Sequence, residues 1–480
     1  MKAQIPKEIK EILSRLAKGG FEGFVVGGCV RDLILGKEPA DWDIATSARP
    51  EEIQKLFPNS FYENRFLTVT VKTTSSKQNL KEIEVTTFRS EAKYTDKRHP
   101  DEVKFAKTLK DDLARRDFTI NSIALGQDEI IDPFGGQKDL AAKILRAVGN
   151  PEERFAEDAL RLMRAVRFAC QMDFTIEPKT LDAIRKNAGW LQAIAKERVR
   201  DELVKILMTD KAAEGVELLK DADLLKYVIP ELEKGVGVTQ NRHHIYTVYE
   251  HNLLSLKFAV QKKFNLEVRL ASLLHDIAKP EVKGGEGALA TFYNHDFVGA
   301  KFAVRILERL KFPNDTIDKV VLLIRSHMFV YDVGVVTEAA IRRLLKRVGP
   351  ENMQDLIDLR VADRLGSGVP KAQPYRLRHF QYMVEKVQHD AISVKMLKIN
   401  GNDIMKLLEI PPGPKIGAIL DVLLAEAIEE PKKNEKKYLG NRVKELAGMD
   451  LSDLRQMAKL KIEEKKEEED LEIKGKYWVK

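Results

Sequence analysis

The sequence predicts an α+β head at the N-terminus, followed by an elongated, all-helical body. Runs at 21–26, 41–46, 67–74 and 82–88 are rich in β-branched residues and often alternate apolar with polar positions, as strands do. Shorter apolar pieces at 122–125 and 129–132 are expected to complete the sheet. From residue 150 onward the apolar residues follow the period of helices, and β-rich runs become scarce.

Local sequence signals divide the chain into four predicted domains. Asn150 and Pro151 favour the start of a helix, which places the end of the head near residue 150. Stretches rich in turn-forming residues at 229–244 and 366–374 mark two further boundaries. The predicted domains are therefore a head at 1–150, a helical neck at 151–228, a third domain at 229–370 and a helical tail at 371–480. The last residues, 465–480, are expected to form a frayed helix or a mobile tail.

The composition excludes several classes of protein. The 480 residues contain no apolar run of about 18 residues, so no transmembrane helix and no membrane partner is predicted. The N-terminus lacks a signal-peptide pattern, and two cysteines are too few for a disulfide framework or a cysteine zinc site. We therefore expect a cytoplasmic protein. A net charge of +7 suits a polyanionic partner such as a nucleic acid, without requiring one.

Two short motifs in the head point to phosphate chemistry. Gly27 and Gly28 follow a predicted strand and open a predicted helix, where backbone amides can approach a phosphate closely. Asp41 and Asp43 come about a dozen residues later, and alternate residues of a strand share a face. Two such carboxylates repel each other unless a cation lies between them, as in two-metal phosphoryl transfer. A plain turn and a solvated acidic pair are the alternatives for each motif taken alone.

The head motifs as a set resemble the bacterial class II tRNA nucleotidyltransferases and poly(A) polymerases, within the DNA polymerase beta superfamily. The resemblance rests on GGCVRD at 27–32, DWD at 41–43 and RRDFTIN at 115–121. It implies that Asp41 and Asp43 are catalytic and hold Mg²⁺, with Glu84 a candidate third carboxylate. It also implies that the incoming nucleotide is held by Gly27, Gly28, Arg31, Arg115, Arg116, Asp117 and Asn121.

The neck carries a further motif, in which Glu157, Asp158, Arg161 and Arg164 are three or four residues apart on a predicted helix. Ordinary helical ion pairs are the alternative interpretation. The pattern resembles the family's EDxxR motif, which implies contact with the nucleotide. A physical reason supports this role for Asp158 and Arg161, because a carboxylate only accepts hydrogen bonds and a guanidinium only donates them.

The Watson–Crick edges of C and A each place an amino donor beside a ring-nitrogen acceptor, whereas U and G place a carbonyl beside a ring N–H. Asp158 and Arg161 are therefore predicted to admit CTP and ATP and to leave unpaired groups against UTP and GTP. Each buried unpaired group costs about 1–3 kcal/mol. Glu157 is predicted to orient Arg161.

The family resemblance implies template-independent addition of C, C and A to the 3′ end of tRNA. The polar segment 94–102 resembles the flexible loop that relatives need for the final A, although a plain surface loop is the alternative. ERVRDEL at 197–203 resembles a motif that braces the neck helices. The segments 398–405 and 411–417, with the basic stretch 432–444, resemble the family's tRNA-binding tail; a solvated basic helix is the alternative.

The third domain concentrates histidines and aspartates in a pattern that resembles HD-superfamily metal phosphohydrolases. The resemblance implies a site for a divalent metal of unknown identity, with the ligands His251, His275, Asp276, His295, His327 and Asp363. Each histidine taken alone is more often structural. Metal-assisted hydrolysis of a cyclic phosphate at a damaged tRNA end is one reaction that the resemblance suggests.

Several alternatives stay open at the level of the sequence. The chain could be a CC-adding enzyme, an A-adding enzyme or a poly(A) polymerase of the same family. It could instead be an HD metal phosphohydrolase with a degenerate head, or a non-catalytic RNA-binding protein. The intact carboxylates of the head argue against the last two. The oligomeric state is left open.

Overall fold

The computed structural model describes residues 5–63, 67–92, 102–127, 129–241, 245–368, 373–389 and 397–479. The chain forms two compact units. The first comprises residues 1–325 and 358–369, and the second comprises residues 326–357 and 370–480.

The strands lie almost entirely in the first 145 residues. They are β1 (Gly23–Val26), β2 (Asp43–Thr46), β3 (Ser60–Glu63), β4 (Thr68–Lys72), β5 (Glu82–Thr87), β6 (Arg89–Ala92), β7 (Glu102–Phe105), β8 (Ala124–Leu125), β9 (Ile130–Ile131), β10 (Ile144–Leu145) and β11 (Thr175–Ile176). Seven of them form one mixed sheet in the order β3-β4-β5-β2-β1-β8-β9. Strand β2 is antiparallel to β1 and parallel to β5, so it occupies the middle of the sheet.

The helices of the head are α1 (Lys7–Lys18), α2 (Gly28–Ile34), α3 (Pro50–Leu56), α4 (Gln78–Lys81), α5 (Leu109–Ala114) and α6 (Gly136–Ala142). The following helices, up to the region of the histidines, are α7 (Pro151–Glu157), α8 (Leu160–Met172), α9 (Pro178–Asn187), α10 (Lys196–Leu207), α11 (Ala212–Asp221), α12 (Leu225–Val228), α13 (Pro230–Glu233), α14 (Val248–Gln261), α15 (Leu266–Leu274) and α16 (Lys279–Val282). The remaining helices are α17 (His295–Arg309), α18 (Asn314–Ser326), α19 (Glu338–Val348), α20 (Met353–Gly366), α21 (Tyr375–His389), α22 (Gly401–Leu408), α23 (Pro414–Glu429), α24 (Lys436–Leu446) and α25 (Leu451–Tyr477).

The predicted fold class is confirmed, with a mixed sheet in the head and helices after it. Each predicted strand run contains a strand or lies on one, and the strands concerned are β1, β2, β4, β5, β8 and β9. Strands β6, β7, β10 and β11 lie outside the predicted runs. Strand β3, with the sequence SFYE, was not predicted because it has no β-branched residue. The four domain boundaries proposed from the sequence stay predictions.

The core of the head fixes the middle of the sheet. Val25, Ile44, Val69 and Val85 belong to four neighbouring strands, and each side chain is fully buried. Burying a side chain of this kind contributes about 1.5–3 kcal/mol. The start of β2, which carries Asp43, is therefore held by a well-packed sheet.

The expectation of a frayed or mobile end was wrong for the backbone. Helix α25 runs without a break to Tyr477. Near its start, Leu454 packs in the apolar core of the tail. Near its end, Ile473 and Val479 pack against Tyr382 of α21. The sequence prediction relied on the mixed charge of this segment and did not take account of the few apolar residues that anchor it.

Two further observations concern the cysteines and the hydropathy of the helices. Cys29 and Cys170 are both buried free thiols, and burial raises the pKa of each to about 12. Among the residues that the structure describes, no helix has the length and hydropathy needed to cross a bilayer.

Candidate active site and metal centre

Three carboxylates converge at the start of β2. Asp43 is the first residue of that strand, and Glu84 lies beside it in the parallel pairing with β5. Burial raises the pKa of Asp43 to about 6; the nearby Arg116 guanidinium opposes that shift, and the charges of Asp41 and Glu84 reinforce it. Such mutual repulsion is relieved when a cation binds between the carboxylates.

The predicted placement of Asp41 on the strand was wrong. Asp41 lies in a bend before β2 and is exposed, so only Asp43 of the pair lies on the strand. Trp42 between them is buried, with 3% of its surface exposed. The indole therefore anchors the bend that brings Asp41 to the same end of the strand.

The glycine turn before α2 allows an arginine to approach these carboxylates. Gly27 has φ +84°, and a Cβ atom there would lie 2.7 Å from Nη1 of Arg116 and 3.5 Å from Oδ2 of Asp43. A side chain at Gly27 would therefore displace the guanidinium. The Nε atom of Arg116 is buried and has no hydrogen-bond partner among the described residues.

Asp112, which the sequence motif did not single out, aligns both arginines of the RRD segment. Its Oδ1 atom accepts a hydrogen bond from Nη2 of Arg115 at 2.9 Å, and its Oδ2 atom accepts one from Nη2 of Arg116 at 3.4 Å. Burial would raise the pKa of Asp112, but the two guanidinium groups outweigh it and lower that pKa. The spacing of three and four residues on α5 was the signal that could have identified this pair.

A chain of hydrogen bonds joins four of the predicted nucleotide-binding residues. Nη1 of Arg31 donates to Oδ1 of Asn121 at 2.8 Å, and Nδ2 of Asn121 donates to Oδ1 of Asp117 at 3.1 Å. Nη2 of Arg164 donates to Oδ2 of Asp117 at 2.6 Å. Burial alone would raise the pKa of Asp117, but Arg164 and the bond from Asn121 lower it to about 2. The network fixes Asp117 as an anion.

The neck motif does not lie on one continuous helix, contrary to the prediction. Helix α7 ends at Glu157, and α8 begins at Leu160. Asp158 between them is extended, and its Oδ1 atom accepts a hydrogen bond from the backbone N–H of Leu160 at 3.0 Å. An aspartate that bonds to a nearby N–H competes with the helical ladder, which explains the break.

Arg161 is held by acceptors on two sides. Its Nη1 atom lies 2.5 Å from Oε2 of Glu157 and 3.0 Å from the carbonyl oxygen of Arg154, and its Nη2 atom lies 2.9 Å from the carbonyl oxygen of Arg115. Glu157 thus contacts Arg161 as the sequence suggested. The bond to Arg115 ties the neck motif directly to the RRD segment of the head.

Arg198 of α10 holds Asp158 and was not assigned this contact from the sequence. Its Nη2 atom donates to Oδ2 of Asp158 at 3.1 Å. Four residues further along α10, Glu202 forms a buried ion pair with Arg167 of α8, with an N–O distance of 2.9 Å. The ERVRDEL segment therefore contacts both α8 and the break before it. This agrees with the bracing role that the resemblance implied.

A second cluster lies further along the first unit. The Nε2 atoms of His251 and His275 are 2.9 Å apart, and Nε2 of His251 is 3.3 Å from a carboxylate oxygen of Asp276 and of Asp363. Nε2 of His295 is 3.5 Å from the other oxygen of Asp276. All five side chains are buried. The structure therefore brings together these five residues, which were all predicted as metal ligands.

The donor set of this cluster fits a divalent metal ion. Nδ1 of His275 lies 3.0 Å from the carbonyl oxygen of Ser272, and Nδ1 of His295 lies 2.8 Å from that of Phe292. A hydrogen bond from Nδ1–H to a carbonyl leaves the Nε2 lone pair directed into the cluster, the arrangement usual for metal-binding histidines. Burial would lower the pKa of His251, but its bonds to Asp276 and Asp363 raise it to about 9.

Two basic residues accompany the carboxylates of this cluster. Nζ of Lys279 is 2.5 Å from Oδ2 of Asp276, and Nη1 of Arg360 is 2.6 Å from Oδ2 of Asp363. Burial would raise the pKa of both carboxyls, yet these cations and the histidines hold it well below the usual range. Both aspartates are therefore ionised, as metal ligands must be.

Some predicted elements are only partly described. His327 is buried in the second unit, and its role as a ligand stays a prediction. The loop predicted at 94–102 lies outside the described residues except for Glu102, the first residue of β7. In the basic stretch 432–444, Lys433 pairs with Glu430, and Arg442 pairs with Glu426.

Family comparisons agree with this arrangement of sites. The poly(A) polymerase head domain matches residues 23–146, and a probable RNA- and SrmB-binding site of polymerase A matches residues 173–235. The HD domain matches residues 248–367, which include the whole of the second cluster. The matched head contains all three carboxylates at β2.

Two curated proteins are similar to this chain over much of their length. A CCA-adding enzyme of Lactococcus lactis subsp. lactis is 34% identical over 447 residues, which cover 92% of this chain and 99% of that enzyme. An A-adding tRNA nucleotidyltransferase of Deinococcus radiodurans is 37% identical over 336 residues, covering 66% of this chain and 75% of that protein.

A solved structure shares the fold. The CCA-adding enzyme of Bacillus stearothermophilus in complex with CTP superimposes with a TM-score of 0.59 at 27% sequence identity, covering 92% of this chain and 98% of that chain. The similarity extends from the head into the later helices.

Proposed function

The chain belongs to the tRNA nucleotidyltransferase family that contains CCA-adding and A-adding enzymes, and on this premise we propose that it adds C, C and A to the 3′ end of tRNA from CTP and ATP. In each step the 3′-hydroxyl oxygen of the RNA bonds to the α-phosphorus of the nucleotide, and pyrophosphate leaves. The two specific tasks are to activate that hydroxyl and to choose the base.

Asp41, Asp43 and Glu84 are proposed to form the catalytic centre. These three carboxylates lie close together, and the charges of Asp41 and Glu84 contribute to the raised pKa of Asp43. Both observations support a site that binds cations. Magnesium ions bound there would lower the pKa of the attacking hydroxyl and neutralise the triphosphate. Arg116 supplies a positive charge beside Asp43, where it lowers the pKa that burial raises.

Asp158 and Arg161 are proposed to choose the base. Asp158 retains acceptor capacity on both oxygens, because each accepts only one of the described hydrogen bonds. Arg161 is oriented by Glu157 and by two backbone carbonyls, so its remaining N–H groups have a fixed direction. This pair accepts from an amino group and donates to a ring nitrogen, which are the groups that C and A present.

The observation that carries this proposal is the bond from Arg161 to the carbonyl of Arg115. This bond joins Arg161 to the RRD segment, whose Arg116 lies beside the carboxylates. The residues proposed to choose the base are therefore held directly against the residues proposed to catalyse the reaction. A tRNA transcript lacking its CCA end tests the proposal, supplied with each triphosphate singly and then with all four, in magnesium. Addition of C, C and A followed by a stop is expected.

The same assay separates the alternatives. A stop after two C residues would make the chain a CC-adding enzyme, and addition of A only to a CC-ended transcript would make it an A-adding one. A long A tail would indicate a poly(A) polymerase. Incorporation of U or G at rates near those of C would contradict the assignment of Asp158 and Arg161.

We also propose a metal-dependent phosphohydrolase activity at the second cluster, because five predicted ligands meet there with their metal-binding atoms turned inward. His251, His275, Asp276 and Asp363 would hold the ion, and a bound metal would supply an activated water. Hydrolysis of 2′,3′-cyclic nucleotides, measured with a panel of divalent metals, tests this proposal. Activity that survives in His275→Ala would contradict it.

A further inference from the structure

A cavity of about 270 Å³ opens between α22 and α24 in the helical tail. Its walls are mainly apolar and include Ile399, Ile404, Leu407 and Val443. Leu407 is 43% exposed, so part of the apolar wall faces solvent. Pockets for whole small molecules usually measure about 300–1,000 Å³. This cavity therefore suits a smaller apolar group, such as a single nucleobase.

Two lysines, Lys406 and Lys436, line the cavity, and two more, Lys432 and Lys437, lie close to Lys436 in the chain. All four are exposed, and within the described ranges none takes part in an ion pair or hydrogen bond. The basic residue Arg442 of the same helix, by contrast, is neutralised by Glu426.

The acidic residue of the cavity does not offset these lysines. Oδ2 of Asp403 accepts a hydrogen bond from the backbone N–H of Asn400 at 2.9 Å, and the side chain of Asn400 caps the same helix in return. Asp403 is thus committed to the start of α22. The cavity offers an apolar interior and a cationic rim.

One wall of the cavity is formed by a glycine within a helix. Gly440 lies inside α24 and lines the cavity, and a Cβ atom there would meet no atom within 4 Å. Glycine in a helix interior costs about 1 kcal/mol relative to alanine. No crowding accounts for this glycine, and its effect is to keep the space beside α24 open.

We propose that this cavity receives one unpaired nucleobase of the tRNA substrate, with the lysines on the phosphates at either side. The proposal rests on the proposed function, which makes a folded tRNA the ligand. Loop nucleotides of RNA can turn outward, exposing a flat apolar base between two anionic phosphates.

Filling the cavity tests the proposal. In the full-length protein, Gly440→Leu is expected to raise the dissociation constant for a tRNA transcript lacking CCA about tenfold. Gly440→Ala is expected to bind nearly as the wild type does. Gly475→Leu is the matched control, because that helical glycine also has open space around it and lies outside the cavity.

A double-substitution cycle identifies the base. Transcripts with one abasic site at each unpaired loop position are measured with the wild type and with Gly440→Leu. One abasic position is expected to weaken binding to the wild type about tenfold and to have no further effect on the variant. Equal losses for wild type and variant at every position would overturn the proposal, as would unchanged binding by Gly440→Leu.

A second wall variant and a competition assay test the same proposal. Leu407→Gln alters an exposed wall without disturbing buried packing, and it is expected to weaken tRNA binding in the same direction even if Gly440→Leu folds poorly. Competition by free CMP for the cavity would overturn the assignment to tRNA. These experiments measure tRNA binding, so they test the cavity even if the protein adds no nucleotide. A failure to add nucleotides would refute the proposed function and not the role of the cavity.

Discussion

At the scale of single residues, Asp43 illustrates how a proposed catalytic group can destabilise the fold that holds it. Its pKa is raised to about 6, mainly by burial and in addition by Asp41 and Glu84. Between about pH 4 and pH 6 the folded state therefore binds more protons than the unfolded state does, and stability falls as the pH rises through this range. Above that range, without a cation, the ionised Asp43 opposes folding.

Asp43→Asn is therefore expected to abolish nucleotide addition while raising the melting temperature in EDTA at pH 7. The amide keeps the shape of the side chain and removes one of three repelling charges. Thermal denaturation from pH 4 to pH 7 checks the sign, because the advantage of the variant should grow as the pH rises. Added Mg²⁺ should stabilise the wild type more than the variant.

The neighbouring carboxylate supplies the comparison. Glu84→Gln removes a charge from the same cluster, so it should shift stability in the same direction and reduce nucleotide addition. Near-normal activity in Asp43→Asn would contradict the assignment of the catalytic centre. A lower melting temperature in EDTA at pH 7 would contradict the electrostatic argument.

If Asp158 chooses the base as proposed, Arg198 is expected to act on the base through its hydrogen bond to Asp158. Without Arg198, Oδ2 of Asp158 loses its charged hydrogen-bond donor. The carboxylate is then held only by the hydrogen bond from the backbone N–H of Leu160 to Oδ1, so its orientation is less restricted. Arg198→Ala is expected to lower the preference for CTP over UTP about tenfold, which corresponds to about 1.4 kcal/mol. Single-nucleotide incorporation with each triphosphate, giving kcat and KM separately, measures the effect.

Partial recovery of selectivity in Arg198→Lys would support a positioning role through charge. Lys186→Ala serves as a control, because Lys186 forms an exposed ion pair with Glu152 and should leave selectivity unchanged. If Arg198→Ala lowers the rates with CTP and UTP by the same factor, its contact with Asp158 does not contribute to base choice.

At the scale of elements, the turn between β1 and α2 couples backbone conformation to the site. Gly27→Ala should cost about 1 kcal/mol because of its positive φ, and it should reduce nucleotide addition more than tenfold because the methyl group displaces Arg116. Chemical denaturation and the addition assay measure the two effects separately.

Gly36 allows these effects to be told apart. It has φ +70°, and a methyl group at this position would meet no atom within 4 Å, so Gly36→Ala should lose similar stability and keep its activity. Equal loss of activity in the two variants would mean that the contact with Arg116 is unimportant.

The elements also show what local sequence could and could not predict. The strands that build the central sheet were predicted because their β-branched, alternating residues are a local signal. The break at Asp158 was missed because the helical spacing of Glu157, Asp158 and Arg161 continues through it. There, one side-chain bond to the N–H of Leu160 outweighs the helical pattern.

Contacts between distant segments explain the rest of the difference. Glu84 lies beside Asp43 through strand pairing, and Arg198 reaches Asp158 across 40 residues of chain. Neither contact has a signal in the sequence near the residues concerned. The motifs supplied the types of residue in the site, whereas the pairing of strands and helices determines which of them meet.

At the scale of the whole molecule, one chain carries two candidate metal sites with different donors. The head offers carboxylate oxygens, the ligands that Mg²⁺ prefers, and the second cluster offers imidazole nitrogens with two carboxylates. Imidazole ligands favour transition metals, and affinity for such a site generally rises from Mn²⁺ towards Cu²⁺. The two activities should therefore respond differently to metal replacement.

Protein stripped with EDTA and then supplied with Mg²⁺ alone is expected to regain nucleotide addition in full and to regain little hydrolysis of cyclic nucleotides. Adding Mn²⁺, Co²⁺ or Ni²⁺ should then restore hydrolysis. His275→Ala should block that second recovery and leave nucleotide addition unchanged, because His275 contributes only to the second cluster. Recovery of both activities with Mg²⁺ alone would mean that the histidines do not select the metal. Loss of nucleotide addition in a well-folded His275→Ala protein would mean that the two sites depend on each other.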